Sequence, residues 1–395
     1  MERAELTALL TAEGLRLVDE LGAIDSPDDV TRTVSRLRAA GLSPELVSAA
    51  VGQARLRTRA RRKFGEFGDR MLFTRAGLEQ ATRLSVGARH AGRFRDAGLR
   101  RVADLGCGIG GDALALAGIG IDVVAVDADE TTAALAAYNL APFGDSATVR
   151  HARAEEVPLD DVDAVWLDPA RRTAGHSETA RVAAGEWSPP LDWVFALAAR
   201  MPAGIKLGPA FDRALIPDDA EAQWISVDGS TIELVVWTGV LARPGVRRAA
   251  LVIRADGAAE LTADGDAEDA EVRPLGAYVH EPEGAVIRAR LIGEVARSLD
   301  AGMIAPGIAY LTSDAEASNP FVQSFRVREQ LPTDVKALAR TLREREIGTL
   351  EIKKRGVDID PAALRTKLKL RGPHAATLIL TRAGSSRVAL LADRV

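Results

Sequence analysis

Cysteine is almost absent from this chain. Cys107 is the only one in 395 residues, which excludes an internal disulfide and a zinc site built from several thiolates. The five histidines, His90, His151, His176, His280 and His374, are scattered, with no pair at ligand spacing, so no metal is expected. Long apolar runs are missing too. Each is cut by a charge, as in Val123-Val124-Ala125-Val126-Asp127, and no transmembrane helix is expected. The opening residues, Met1-Glu2-Arg3-Ala4-Glu5, are acidic and helix-prone and lack the apolar centre of a secretion signal. A cytoplasmic setting follows as an expectation. Internal repeats and low-complexity tracts are also lacking.

What is present is the composition of an ordinary globular protein, 47% hydrophobic and 27% charged. The length exceeds what one core usually serves, so two or three domains are expected. A net charge of -5 hides an asymmetry. From Phe321 to Val395 sixteen Lys and Arg stand against eight Asp and Glu, a balance of +8 that leaves the remainder at -13. An acidic body with a basic end points that end at an anionic partner such as nucleic acid.

Residues 1–63 read as helical, with Leu6, Leu9, Leu10, Leu15, Val18 and Leu21 at helical intervals and start signals at Ser26-Pro27 and Ser43-Pro44. The region ends in a basic run from Arg55 to Lys63, readable as a solvated helix face or as an RNA-facing patch. A further helical stretch is expected from Phe64 to Arg95. Strand-like segments then recur at 101–105, 122–126, 147–151, 163–167, 204–207, 224–227 and 232–237, mostly separated by helix-like segments. That alternation predicts a doubly wound, mostly parallel sheet. Asp228-Gly229-Ser230 predicts that the last two strands form an antiparallel hairpin. Residues 241–319 read as a connecting α+β segment that begins with a hairpin. Residues 320–395 read as a compact basic α+β module.

The chemistry centres on Asp104-Leu105-Gly106-Cys107-Gly108-Ile109-Gly110-Gly111-Asp112, where a strand ends, turns through glycines and enters a helix. Open α/β sheets bind ligands at such strand ends, and glycine lets the backbone come close. Gly106, Gly108 and Gly111 also satisfy the dinucleotide pattern G-x-G-x-x-G. A carboxylate at Asp104, however, suits a ligand ammonium and repels a pyrophosphate. The Asp168-Pro169-Ala170-Arg171 motif at the end of the fourth strand is likewise not required by dinucleotide enzymes. A nicotinamide-dependent oxidoreductase is therefore the minor alternative.

The glycine run resembles the first motif of class I S-adenosylmethionine-dependent methyltransferases. That resemblance implies a Rossmann-like seven-stranded sheet and S-adenosylmethionine as cofactor. It also implies that Asp104, Gly106, Gly108 and Gly110 hold the cofactor's methionine end and that Asp127, followed by Ala128, takes the ribose hydroxyls. At the adenine position many members carry an aspartate where Arg153 stands here. Either Glu155 substitutes or the backbone of Ala154 alone reads the base. Asp168-Pro169-Ala170-Arg171 resembles the fourth-strand motif of nucleic-acid base methyltransferases, which makes Asp168 and Arg171 the catalytic candidates. The stacking aromatic of the Asp-Pro-Pro-Tyr form is absent. Enzymes that methylate uracil carbon 5 use a cysteine nucleophile, and Cys107 is committed to the glycine loop.

Leu78-Glu79-Gln80-Ala81-Thr82 precedes the first strand. Gln80 and Thr82 are placed with the cofactor, although a plain capped amphipathic helix explains the segment as well. Lys206 is either a core-edge lysine with its charge in water or a substrate contact. The architecture as a whole resembles a bacterial group of methyltransferases with a C-terminal THUMP-like domain. True THUMP domains bind RNA, so the likeness implies an RNA substrate met by Lys353, Lys354, Arg355, Lys367, Lys369 and Arg371. Two other roles stay open: an RNA-binding or assembly protein on a methyltransferase fold, and a methyltransferase for a small molecule or a protein. The domain expectation is 1–63 helical, 64–240 cofactor-binding, 241–319 connecting and 320–395 THUMP-like.

Overall fold

The computed structural model describes residues 3–171 and 187–395, and the chain forms two compact units. The first contains Met1–Leu207 and Val236–Ala242 and the second Gly208–Val235 and Arg243–Val395. In the first unit four helices lead: α1 (Arg3–Leu9), α2 (Ala12–Leu21), α3 (Pro27–Ala39) and α4 (Pro44–Phe64). A capping box between Ser26 and Asp29 starts α3, and the Ser43 side chain accepts from the Leu46 N–H to start α4. The helices bury Leu6, Leu9, Val18, Ala49 and Ala50 in one cluster and Leu37, Val47, Val51 and Ala54 in another.

The helical stretch expected from Phe64 to Arg95 is interrupted. Short helices α5 (Arg75–Gln80) and α6 (Leu84–Asp96) follow an extended, buried segment at 71–73. Buried side-chain amides supply the hydrogen bonds that a helix would have made internally. Gln53 both donates to the Phe73 carbonyl (2.7 Å) and accepts its N–H (2.9 Å), and Asn139 does the same for Leu72 at 3.0 and 2.7 Å. Asn139 also donates to the Ile109 carbonyl (2.9 Å), so one amide ties this segment to the glycine loop.

The first unit continues through β1 (Arg101–Leu105), α7 (Gly111–Gly118), β2 (Asp122–Asp127), α8 (Glu130–Leu140), β3 (Ala147–His151), β4 (Ala164–Leu167), α9 (Leu191–Ala198) and β5 (Ala203–Leu207). The strands pair in the order β5–β4–β1–β2–β3, all parallel. The strand order reverses beside β1, the position where doubly wound sheets bind ligands.

The second unit holds β6 (Glu221–Val227) and the start of β7 (Ser230–Trp237), which are joined by the tight turn at Asp228-Gly229, as the turn residues predict. Both turn residues have positive φ, 49° and 79°. The expected hairpin is β8 (Arg248–Arg254) with β9 (Gly257–Ala263), and β8 also pairs in parallel with β6. The second sheet is built from β10 (Tyr278–Pro282), β11 (Gly302–Met303), β12 (Leu311–Ser313), β13 (Val322–Leu331), β14 (Ile347–Lys354), β15 (His374–Ala383) and β16 (Ser386–Arg394). Its order is β11–β12–β10–β13–β16–β15–β14. The sheet therefore runs across residue 320, because β13 hydrogen-bonds to β10 in the segment expected to be a connector. Helices α10 (Gly284–Arg288) and α11 (Ile292–Ser298) lie between its early strands in sequence. Later come α12 (Val335–Glu344) and α13 (Pro361–Leu368), which bury Leu338, Leu342, Leu364 and Leu368 with Leu350, Leu378 and Leu391.

Candidate cofactor and catalytic site

At the tip of β1 the Gly106 and Cys107 N–H groups both donate to the Val126 carbonyl at 2.9 Å, which folds the glycine loop against β2. Gly106, Gly108 and Gly110 all have positive φ, at 96°, 55° and 84°. A Cβ at position 106 would stand 3.0 Å from the Asp168 carbonyl oxygen. Only glycine lets the loop lie this close to the end of β4.

The Asp104 side chain is 1% exposed and neither carboxylate oxygen has a hydrogen-bond partner among the described residues. Burial first, then the nearby charges of Asp112 and Asp168, push its pKa well above the usual carboxylate range. A buried, orphaned anion beside a glycine bend fits the ammonium of an amino-acid moiety, which would return both the lost hydrogen bonds and the lost charge balance. Asp127 ends β2 and accepts from the Gly108 N–H (3.0 Å) and the Asp129 N–H (2.9 Å). Each of its oxygens keeps a further lone pair suited to a ribose hydroxyl. Burial raises its pKa, against the lowering effect of those two N–H groups. The residues present thus fit S-adenosylmethionine at two points.

The other expected cofactor contacts are less uniform. Ala154 is buried at the start of a short turn, while Glu155 is held by Arg153 at 2.8 Å. Ala128 is exposed and its carbonyl lies 3.2 Å from the His151 ring nitrogen. Gln80 is exposed and makes no hydrogen bond among the described residues, whereas Thr82 is buried. The Thr82 hydroxyl donates to Asp112 (2.7 Å) and accepts from Lys206 (3.0 Å). Thr82 is thus engaged by protein side chains.

That network was not legible as a site. Asp112 opens α7 and, read alone, complements the helix dipole. It is instead 8% exposed, bonded by Thr82, 3.3 Å from the His90 ring and 3.8 Å from Lys206. Burial alone would raise its pKa, but His90, Lys206 and Thr82 outweigh that and hold it at about 2. The signal available was an acid opening the apolar stretch Ala113-Leu114-Ala115-Leu116-Ala117, where an acid must find partners. His90 belongs to the buried stripe Val86–His90–Phe94 of α6, stacked on Trp166 with ring centroids 4.6 Å apart.

Lys206, near the end of β5, reaches Asp168 at 2.6 Å, so its side chain serves the site rather than the solvent. Asp168 itself is about a third exposed, at 35%. The Arg171 side chain lies outside the described residues. The basic run ending α4 is largely occupied: Arg57 bonds the Met71 carbonyl and Asp19, Arg61 pairs with Asp69, and Lys63 donates to the Glu79 and Ala81 carbonyls. Most of that run is structural.

In the C-terminal module, Lys353 pairs with Glu281 at 2.5 Å, and Arg355 lies 3.6 Å from Glu281 and over the Tyr310 ring. Lys354, Lys367, Lys369 and Arg371 are exposed and form no ion pair among the described residues.

A parallel sheet with an orphaned acid and a glycine loop at its reversal point defines a class I cofactor-binding fold. Family models agree along the chain: a methyltransferase domain matches residues 102–184, a THUMP domain-like module residues 322–394, and a domain of unknown function residues 2–60. Two sequences from Mycobacterium tuberculosis, strains CDC 1551 and H37Rv, are described as uncharacterized S-adenosylmethionine-dependent methyltransferases. Each is 34% identical over 359 residues, covering 89% of this chain and 96% of the relative. A solved structure from Porphyromonas gingivalis W83, provisionally described as a methyltransferase, shares the fold with a TM-score of 0.75 at 22% identity. The match covers 97% of this chain and 98% of that one. This chain belongs to the S-adenosylmethionine-dependent methyltransferases.

Proposed function

We propose that this enzyme methylates a base nitrogen of RNA, with residues 64–240 carrying the chemistry and residues 320–395 recruiting the strand. The observation that carries the catalytic half is the Asp168–Lys206 pair, 2.6 Å long, with the Asp168 backbone packed against Gly106 of the glycine loop. Support for RNA comes from the THUMP-like match and from the exposed cations Lys354, Lys367, Lys369 and Arg371.

When bound, the cofactor supplies a methyl group on a positively charged sulfur and departs as the neutral thioether. Asp104 accepts the ammonium, and Asp127 takes the ribose hydroxyls. Asp168 accepts the N–H of the target nitrogen, aims its lone pair, and receives the proton released as the nitrogen–methyl bond forms. Lys206 fixes the Asp168 carboxylate and is itself fixed by Thr82 and Asp112. Arg171, at the end of the same motif, is proposed to meet the substrate.

Incubation with labelled cofactor and total RNA from a strain lacking the gene is expected to label RNA. Asp168→Ala is expected to slow turnover about a thousandfold while cofactor affinity changes less than about threefold. Absence of transfer to any RNA by the wild type contradicts the proposal. RNA binding that Asp168→Ala leaves unchanged, with no wild-type turnover, instead favours an assembly role.

A further inference from the structure

The second unit contains a cavity of about 650 Å³ that the sequence did not disclose. That size lies within the range of ligand pockets. Four arginines line it: Arg213, which precedes β6; Arg288 and Arg290, at and beyond the end of α10; and Arg355, which follows β14. No acidic residue is among the described lining residues. Distant parts of the sequence thus converge four guanidinium groups on one concavity.

The carboxylates nearest these arginines only partly balance them. Asp266 lies 3.1 Å from Arg213 and 3.9 Å from Arg290 but gives its shortest bond, 2.8 Å, to Arg248. Asp269 lies 3.9 Å from Arg290. Glu281 is shared between Arg355 at 3.6 Å and Lys353 at 2.5 Å. Arg288 donates to the Pro209 carbonyl at 3.0 Å and forms no ion pair among the described residues. The Arg355 Nε is buried with no hydrogen-bond partner among the described residues. Arg290 adopts φ 59°, a conformation that disfavours a residue with a side chain. An arginine thus stands where glycine or asparagine would relieve the backbone.

We propose that this cavity holds the backbone phosphates of an unpaired RNA segment; the inference rests on RNA being the substrate. Guanidinium forks match phosphate oxygens bidentately. A duplex presents its phosphates on a convex surface and does not enter a concavity of this size, whereas a single strand or a chain end does. Only Arg355 of the four was expected from sequence to meet RNA. Arg213, Arg288 and Arg290 extend that contact into the segment before the THUMP-like match.

The test is fluorescence anisotropy of the full-length protein with a labelled, unpaired RNA oligonucleotide across several salt concentrations. The double variant Arg288→Glu/Arg290→Glu changes two exposed side chains and is expected to weaken binding about tenfold or more. It should lower the slope of log affinity against log salt by about 1.4, the share of two phosphate contacts on a single strand. Arg288→Gln/Arg290→Gln should act in the same direction by a smaller factor. Arg387→Glu, an exposed charge reversal on β16 away from the cavity lining, should stay within about twofold of wild type. Equal binding by wild type and the Glu double variant overturns the cavity assignment and leaves the RNA reading standing. A wild type that binds no RNA overturns both.

Discussion

Asp104 and Asp112 lie on either side of the same glycine loop, and both are buried. Asp112 is bonded by Thr82, faces His90 and Lys206, and has its pKa held at about 2. Asp104 has no side-chain hydrogen-bond partner among the described residues, and its pKa is pushed far in the other direction. Burial acts alike on the two, so the partners decide the outcome. On the proposed reading, the contrast separates a carboxylate bonded within the protein from one whose partners a bound ligand would supply.

The largest effect that sharpens this contrast is expected on stability. Asp112→Asn removes the buried charge that faces Lys206 and the His90 ring and leaves Asp168 as the nearer carboxylate of Lys206. The cost is about 3 kcal/mol, read as a fall in Tm of roughly 6–10 °C for a unit of this size. A Tm within a degree or two of wild type breaks the comparison.

Acid titration comes next. The pKa of Asp112 is depressed from 3.8 to about 2 in the folded chain. Its contribution, about 2 kcal/mol, is therefore present above pH 4 and lost as pH falls towards 2. Asp104 has the opposite sign: its pKa is raised on folding, so stability falls as pH rises from the ordinary carboxylate range through its raised value. Comparing denaturation midpoints of wild type and Asp112→Asn between pH 2 and pH 6 isolates the first effect, since the gap between them should close at the acid end. Cofactor affinity should also rise with pH as Asp104 ionises. An affinity that does not change as the pH is lowered contradicts the pairing with an ammonium.

A smaller effect is expected at Asp127. Asp127→Asn keeps one acceptor oxygen but gives up the charge and one of the two N–H contacts. Affinity for S-adenosylhomocysteine should drop about tenfold by calorimetry, about 1.4 kcal/mol.

Much of this arrangement was legible in sequence because it is local. Strand spacing, the glycine turn after Asp104 and the Asp228-Gly229 hairpin each depend on residues a few positions apart. What depended on distant pairing was hidden. Nothing around Thr82, His90 or Lys206 announces that they converge on Asp112. The break at 71–73 needed Gln53 and Asn139, which are far away in sequence. The Arg55–Lys63 run reads from sequence as a solvated helix face or an RNA-facing patch because its partners, Asp19, Asp69 and the Glu79 and Ala81 carbonyls, lie elsewhere in the chain. The sheet crossing residue 320 was masked by the charge change there, since charge marks a surface and says nothing of the ladder beneath it.

The most direct test is to titrate wild type and Asp104→Asn with S-adenosylhomocysteine by calorimetry and to melt both without ligand. The asparagine variant should lose at least about a hundredfold in affinity, roughly 3 kcal/mol, while melting no lower than wild type, because the unpaired buried charge is gone. Retained affinity, or a large loss of Tm with binding intact, would show that Asp104 serves the fold and not the ligand.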